Sequence, residues 1–187
     1  MSSSVTALGG QSFEGRVRVE DAGLLGMITL RLEATDTATK ALHDGGFKRP
    51  EQGAVMGGLS GGALWMSPDE VLLLCDYDAV GETIARLNDH FDGQHFLAAD
   101  VSDARCVIKL TGEARAVRET LARLTPADLR AQAVPPGTLR RTRLAQVPAA
   151  IWFENEETAV IVAFRSVADY VFGLLTNAAK GDAVGHF

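Results

Sequence analysis

The chain has 187 residues, 22% of them charged and 47% hydrophobic, with a formal net charge of −6 at pH 7. That length supports a sizeable core in one large domain or two small ones, and the composition is that of an ordinary soluble globular protein. The acidic balance argues against general binding to nucleic acid or to an anionic membrane. Residues 53–68, the longest uncharged stretch, are too few and too rich in glycine to cross a bilayer.

In chain order, residues 1–12 are small and polar and are expected to be mobile or draped on a partner. Residues 16–20 alternate cleanly and read as a strand, and Gly26 to Leu32 as a second, with Ile28, Leu30 and Leu32 on one face. A weak helix follows over 35–43, its thin apolar side made of Ala38, Ala41 and Leu42. Residues 53–62 hold five of the 19 glycines and read as a flexible loop. Residues 63–66 form a strand. Ser67-Pro68-Asp69-Glu70 has the pattern of a capping box with proline at the first helical position, so one helical turn is expected before the strand 71–75.

Asp78 is placed to cap a helix over 79–91 whose inner face is Val80, Ile84, Leu87 and Phe91. A short strand over 95–100 leads to the stretch that organises the chain, residues 101–124. Arg105 to Leu110 is a half-buried strand, Thr111 a cap, and the next helix places Ala114, Val117, Leu121 and Leu124 on one face. Glu113, Arg115, Arg118, Glu119 and Arg123 fall on the other face and are expected to meet water. Residues 125–137 carry three of the six prolines and read as a connector. Residues 138–147, 150–153 and 158–164 read as an antiparallel meander with a solvated tip at Glu154, Glu156 and Glu157. Ser166 and Asp169 cap the last helix, and 180–187 is a tail.

Strand followed by helix occurs three times, at 72–91, 105–124 and 160–175. An α+β protein is expected, a mixed and mainly antiparallel sheet with helices packed on it. The expected division is an arm with the first strand (1–24), a first α+β half (25–125), the proline-rich connector (126–137), a second α+β half (138–180) and a tail (181–187).

Motifs that carry chemistry are weak. Gly58-Leu59-Ser60-Gly61-Gly62 matches G-x-S-x-G, but that nucleophile needs a strand before the serine and a helix after it, and here a strand follows. No phosphate loop or dinucleotide fingerprint is present. His90, Asp92 and His95 match no standard metal spacing and straddle a helix end. Asp76 and Asp78 read as a helix start rather than a paired-carboxylate site. Cys75 and Cys106 lie on predicted buried strands with no C-x-x-C pair and read as reduced core thiols of a cytoplasmic protein. No basic segment leading into an apolar run suggests a secretory signal.

Arg140-Arg141-Thr142-Arg143 is the most informative polar run. On a strand Arg141 and Arg143 share one face. Guanidinium groups grip carboxylates through two parallel hydrogen bonds, so this pair suits an acidic partner or a carboxylate ligand.

Five segments together resemble the gamma subunit of heterotetrameric sarcosine oxidase. They are Leu25-Gly26-Met27-Ile28-Thr29-Leu30-Arg31, Leu64-Trp65-Met66-Ser67-Pro68-Asp69-Glu70, Val101-Ser102-Asp103-Ala104-Arg105, Arg141-Thr142-Arg143-Leu144-Ala145-Gln146-Val147 and Phe164-Arg165-Ser166-Val167-Ala168-Asp169-Tyr170. The resemblance runs over about residues 25–179. It implies a fold related to the folate-binding aminomethyltransferase and to the N-terminal domain of tRNA-modification GTPases. It also implies a place beside alpha, beta and delta subunits in a cytoplasmic complex that oxidatively demethylates sarcosine to glycine. Such a complex forms hydrogen peroxide and 5,10-methylenetetrahydrofolate. FAD, FMN, NAD and folate are then expected on the larger subunits and zinc on the delta subunit, with none on this chain. The role expected here is structural, with Arg141, Arg143 and Arg165 as the polar contacts to partners. The alternatives are a free-standing folate-binding or one-carbon-transfer protein and, more remotely, a serine hydrolase through Ser60.

Overall fold

The computed structural model describes residues 4–33 and 35–181. Its elements in chain order are β1 (Ser12–Glu14), β2 (Arg18–Asp21), β3 (Gly26–Leu32), α1 (Asp36–Asp44), β4 (Val55–Gly58), β5 (Gly61–Ser67), β6 (Glu70–Cys75), α2 (Val80–His90), β7 (Phe96–Asp100), β8 (Arg105–Thr111), α3 (Ala114–Ala122), β9 (Arg140–Leu144), β10 (Val147–Asn155), β11 (Thr158–Phe164) and α4 (Ala168–Ala179). Short 3-10 turns at Tyr77–Ala79, Ser102–Ala104 and Arg165–Val167 join several of them.

The chain divides into two compact units. One comprises Met1–Gly23 with Asp103–Phe187, the other Leu24–Ser102. The first is a six-stranded sheet in the order β1-β2-β8-β11-β10-β9, antiparallel throughout, with α3 and α4 packed on it. Its core is one cluster that includes Ile108, Leu110, Val117, Leu121, Ile151, Phe153, Ile161, Val171 and Leu175. The second is a five-stranded antiparallel sheet in the order β4-β5-β6-β3-β7. Its core gathers Ile28, Leu30, Leu42, Leu73, Leu87 and Phe91.

The expected α+β class holds, as two antiparallel sheets instead of one mixed sheet. The strand-then-helix units are β6 with α2, β8 with α3, and β11 with α4. The boundary between halves differs from the expected one. β8 and α3 belong with the strands beyond the proline-rich connector, because β8 pairs with β11 along its whole length. The crossings between units fall at Gly23/Leu24 and Ser102/Asp103.

Several local expectations are corrected by tertiary pairing. In the N-terminal arm, Leu8 is 2% exposed and joins the core, while the Asp21 carboxylate accepts from the Gly10 amide. The glycine loop is largely a hairpin, β4 with β5, in which Gly57 pairs with Gly62. Gly57 has φ +80°, and a Cβ there would lie 2.2 Å from the Gly61 carbonyl oxygen, so only glycine fits. Ser67 to Glu70 form no helical turn. Ser67 pairs with Glu70 across a two-residue turn, because β5 and β6 are already aligned to close a hairpin. Thr111 is the last residue of β8, and Glu113 caps α3 instead, its carboxylate accepting from the Arg115 and Ala116 amides. Asp76, Asp78, Ser166 and Asp169 cap nothing with their side chains; the 3-10 turns lead into α2 and α4. The tail expected over 181–187 lies, beyond Gly181, outside the described residues.

The largest correction concerns α3, whose polar face meets water only in part: Glu113, Arg115 and Arg123 are exposed, but two of its charges are not. Arg118 is 4% exposed and Glu119 is 1% exposed. The Arg118 guanidinium donates from Nη1 to the carbonyls of Leu129 (2.7 Å) and Val134 (3.2 Å). From Nη2 it donates to the Glu156 carboxylate at 2.7 Å, and it lies 4.0 Å from the centroid of the Phe153 ring. Glu119 is held by Arg16 and Arg115. The connector is therefore a folded layer over α3, with Leu129 and Val134 fully buried. Arg118→Ala leaves two buried carbonyls without a donor and is expected to lower stability by about 3 kcal/mol in urea denaturation. Glu156→Ala, which removes only the half-exposed partner, is expected to cost less than about 1 kcal/mol.

Candidate functional site

β9 is the last strand of the six-stranded sheet. Its register sets Arg140, Thr142 and Leu144 opposite Ile151, Ala149 and Val147, which lie in the core. These three accordingly turn inward. Leu144 is fully buried, Thr142 shares a 2.9 Å hydrogen bond with Thr125, and Arg140 donates to the Ala133 carbonyl at 2.6 Å. Arg141 and Arg143, opposite Ala150 and Pro148, share the other face and are exposed, as strand alternation predicts.

Ala150 pairs in turn with Val162. The β10–β11 ladder ends at that pair, and beyond it Phe164 pairs with Arg105 on β8. Directly opposed side chains share a face and alternate residues of a strand return to it, so Arg143, Pro148, Phe164 and Arg105 lie on one face of the sheet. Phe164 is 45% exposed, and the Arg105 guanidinium stands 5.1 Å from its ring centroid. Arg165 follows directly. It pairs with Asp103 at 3.7 Å and donates to the Val5 carbonyl at 3.2 Å, so it also anchors the N-terminal segment.

The register thus places Arg143 and Arg165 at the same end of one sheet, with Arg141 two residues further along β9. The alternation of 140–143 made the two outward arginines legible in the sequence. Pro148, Phe164 and Arg105 were not, because β11 is an unbroken apolar run that does not show where burial stops. Arg143, Pro148, Phe164 and Arg105 on one face offer cationic forks around an apolar anchor, and arginine and aromatic side chains are the kinds in which protein interfaces are enriched.

The remaining candidates fall apart in space or in context. Ser60 sits exposed in the two-residue turn between β4 and β5, a strand–turn–strand setting without the helix a nucleophile elbow requires. His90 ends α2 and His95 precedes β7. Among the described residues no three histidine, cysteine, aspartate or glutamate side chains converge to hold a metal ion. Glu154, Glu156 and Glu157 are exposed at the hairpin tip, where Glu154 lies 3.8 Å from Lys109 and Glu156 pairs with Arg118. Cys75 and Cys106 are both buried. Among the described residues no helix is long and apolar enough to cross a membrane.

The sequence profile of the Sarcosine oxidase, gamma subunit family matches residues 33–181. The chain belongs to this family. Sarcosine oxidase subunit gamma of Corynebacterium sp. strain P-1 is 32% identical over 133 residues, 69% of this chain and 63% of that relative. The subunit gamma of Corynebacterium sp. strain U-96 is 31% identical over 128 residues, 67% of this chain and 60% of that one. Each match therefore spans less than two thirds of the relative's own length. A chain of the heterotetrameric sarcosine oxidase from Corynebacterium sp. U-96, solved with pyrrole 2-carboxylate, superposes with a TM-score of 0.81 at 26% identity, over 92% of this chain and 90% of that one. The aminomethyltransferase T of the Bartonella henselae glycine cleavage system superposes with a TM-score of 0.58 at 14% identity, a likeness of fold alone.

In this gamma-family chain, burial pushes the Cys106 thiol up to about 11. A thiol in the unfolded chain ionises near pH 8.5. The contribution of Cys106 to stability is therefore complete below about pH 8.5 and is lost as the pH rises through 11. The native chain is expected to resist iodoacetamide at Cys106 at pH 8 and to react once unfolded, read by mass spectrometry. Cys106→Val is expected to flatten the fall in stability between pH 9 and 11.

Proposed function

We propose that the chain is a structural subunit of a heterotetrameric sarcosine oxidase and does no chemistry by itself. The superposition on a chain of the Corynebacterium enzyme, nearly end to end for both chains, is the observation that carries this reading. In it, alpha, beta and delta subunits are the partners, in the cytoplasm. FAD, FMN, NAD and folate reside on the larger subunits and zinc on the delta subunit. The complex converts sarcosine to glycine with hydrogen peroxide and 5,10-methylenetetrahydrofolate. The work of this chain is to present complementary surface, with Arg141, Arg143 and Arg165 around the exposed Phe164 as the contacts. The consumption of buried polar groups by internal bonds, as with Arg118 and Glu119, supports it.

Co-expression with the other subunits is expected to yield one complex containing this chain, and its purification alone, with no flavoprotein attached, would overturn the reading. The isolated chain is expected to give no binding heat with tetrahydrofolate and no esterase activity; clear folate binding would favour a one-carbon-transfer protein instead. Arg143→Glu is expected to shift the melting temperature of the isolated chain by less than about 2 °C. It is also expected to weaken its retention in the complex, the difference from the wild type shrinking as salt is raised.

A further inference from the structure

The edge of a sheet presents main-chain N–H and C=O groups that pair with other chains unless something blunts them. Three of the four sheet edges here are blunted. β1 has three residues and carries Glu14. β9 carries Arg140, Arg141 and Arg143. β4 has four residues and ends in two glycines. The fourth edge, β7, reads Phe-Leu-Ala-Ala-Asp, with its single charge at the far end and Leu97 54% exposed.

The Val101 amide donates to the Met27 carbonyl at 2.8 Å, one step beyond the β3–β7 register, and the Met27 amide donates to the Ser102 hydroxyl at 2.9 Å, so Met27 turns both main-chain groups toward the β7 side. Antiparallel ladders alternate bonded and non-bonded pairs. Thr29 with Ala99 and Arg31 with Leu97 are then bonded, and Phe96, Ala98 and Asp100 turn their main-chain groups away from β3. Among the described residues no backbone hydrogen bond reaches those groups. At the Phe96 end of β7 opens a cavity of about 440 Å³ lined by Arg31, Leu32, Glu33, Asp69, His95, Phe96 and Leu97.

We propose that β7 is a docking edge for an extended segment of a different subunit, which adds as a sixth strand to the five-stranded sheet and seats an apolar side chain beside Leu97. The proposal rests on the subunit reading above and says where a partner binds. In strand addition the main chain supplies affinity and a pocket for an alternate side chain supplies specificity; β7 offers both.

The test compares the full chain, free and within the co-expressed complex, by hydrogen–deuterium exchange of peptides covering β7, and repeats the assembly with Ala98→Pro. Proline is tolerated on an edge strand where its missing N–H points to solvent, so the variant is expected to keep a cooperative melt but to be lost from the complex. Exchange in β7 of the wild type is expected to slow on assembly, a readout that stands alone if the variant does not fold. Unchanged exchange in a complex that forms, or incorporation of a folded Ala98→Pro at wild-type level, overturns the docking edge and leaves the subunit reading intact. A wild-type chain that enters no complex overturns both. Dimerisation of the chain alone that Ala98→Pro abolishes assigns the edge to a second copy and overturns the proposal.

Discussion

The fork of Arg118 is the contact on which the first unit depends. The segment between α3 and β9 has no regular structure, so its buried carbonyls have no ladder to satisfy them. Arg118 supplies the missing donors to Leu129 and Val134, stacks on Phe153 and reaches the hairpin tip at Glu156. One side chain thereby ties a helix, a loop, a strand and a hairpin turn together. A guanidinium suits the task because its donors lie in a fixed plane and its face packs on an aromatic ring.

The position of the connector in turn shapes the exposed edge of the sheet. Thr125 meets Thr142 and the Ala133 carbonyl takes Arg140, so the inward face of β9 is occupied and Arg141 and Arg143 are left on the other face. Strand alternation sets Phe164 and Arg105 on the same face as Arg143. Both the exposed face and the open edge of β7 are properties of main-chain register. Neither requires a reactive side chain, and this suits a chain whose family forms one part of a larger oxidase.

Within each unit the charges divide by role. Glu119, Arg118 and Arg16 are held in bonds that span many residues of sequence, as 103 separate Arg16 from Glu119. The exposed arginines on β9 instead occupy an edge, where like charge discourages pairing of two copies and leaves acidic partners favoured. Leu97 has no such guard, which sets β7 apart from the other edges.

The sequence by itself determined what depends on neighbours within a few residues. The apolar face of α2, the strands β3, β6, β8 and β11, the meander from β9 to β11 and the shared face of Arg141 and Arg143 follow from periods of 3.6 and 2. Only the tertiary structure decided that there are two sheets, that β8 and α3 belong with the last strands, that the glycine run is half of a hairpin and that Arg118 and Glu119 on the polar face of α3 are buried. The physical reason is common to these cases. Periodicity reports that a face is apolar, but a polar face is buried or exposed according to which distant segment lies over it, and strand order is settled by hydrogen bonds between residues far apart in the chain.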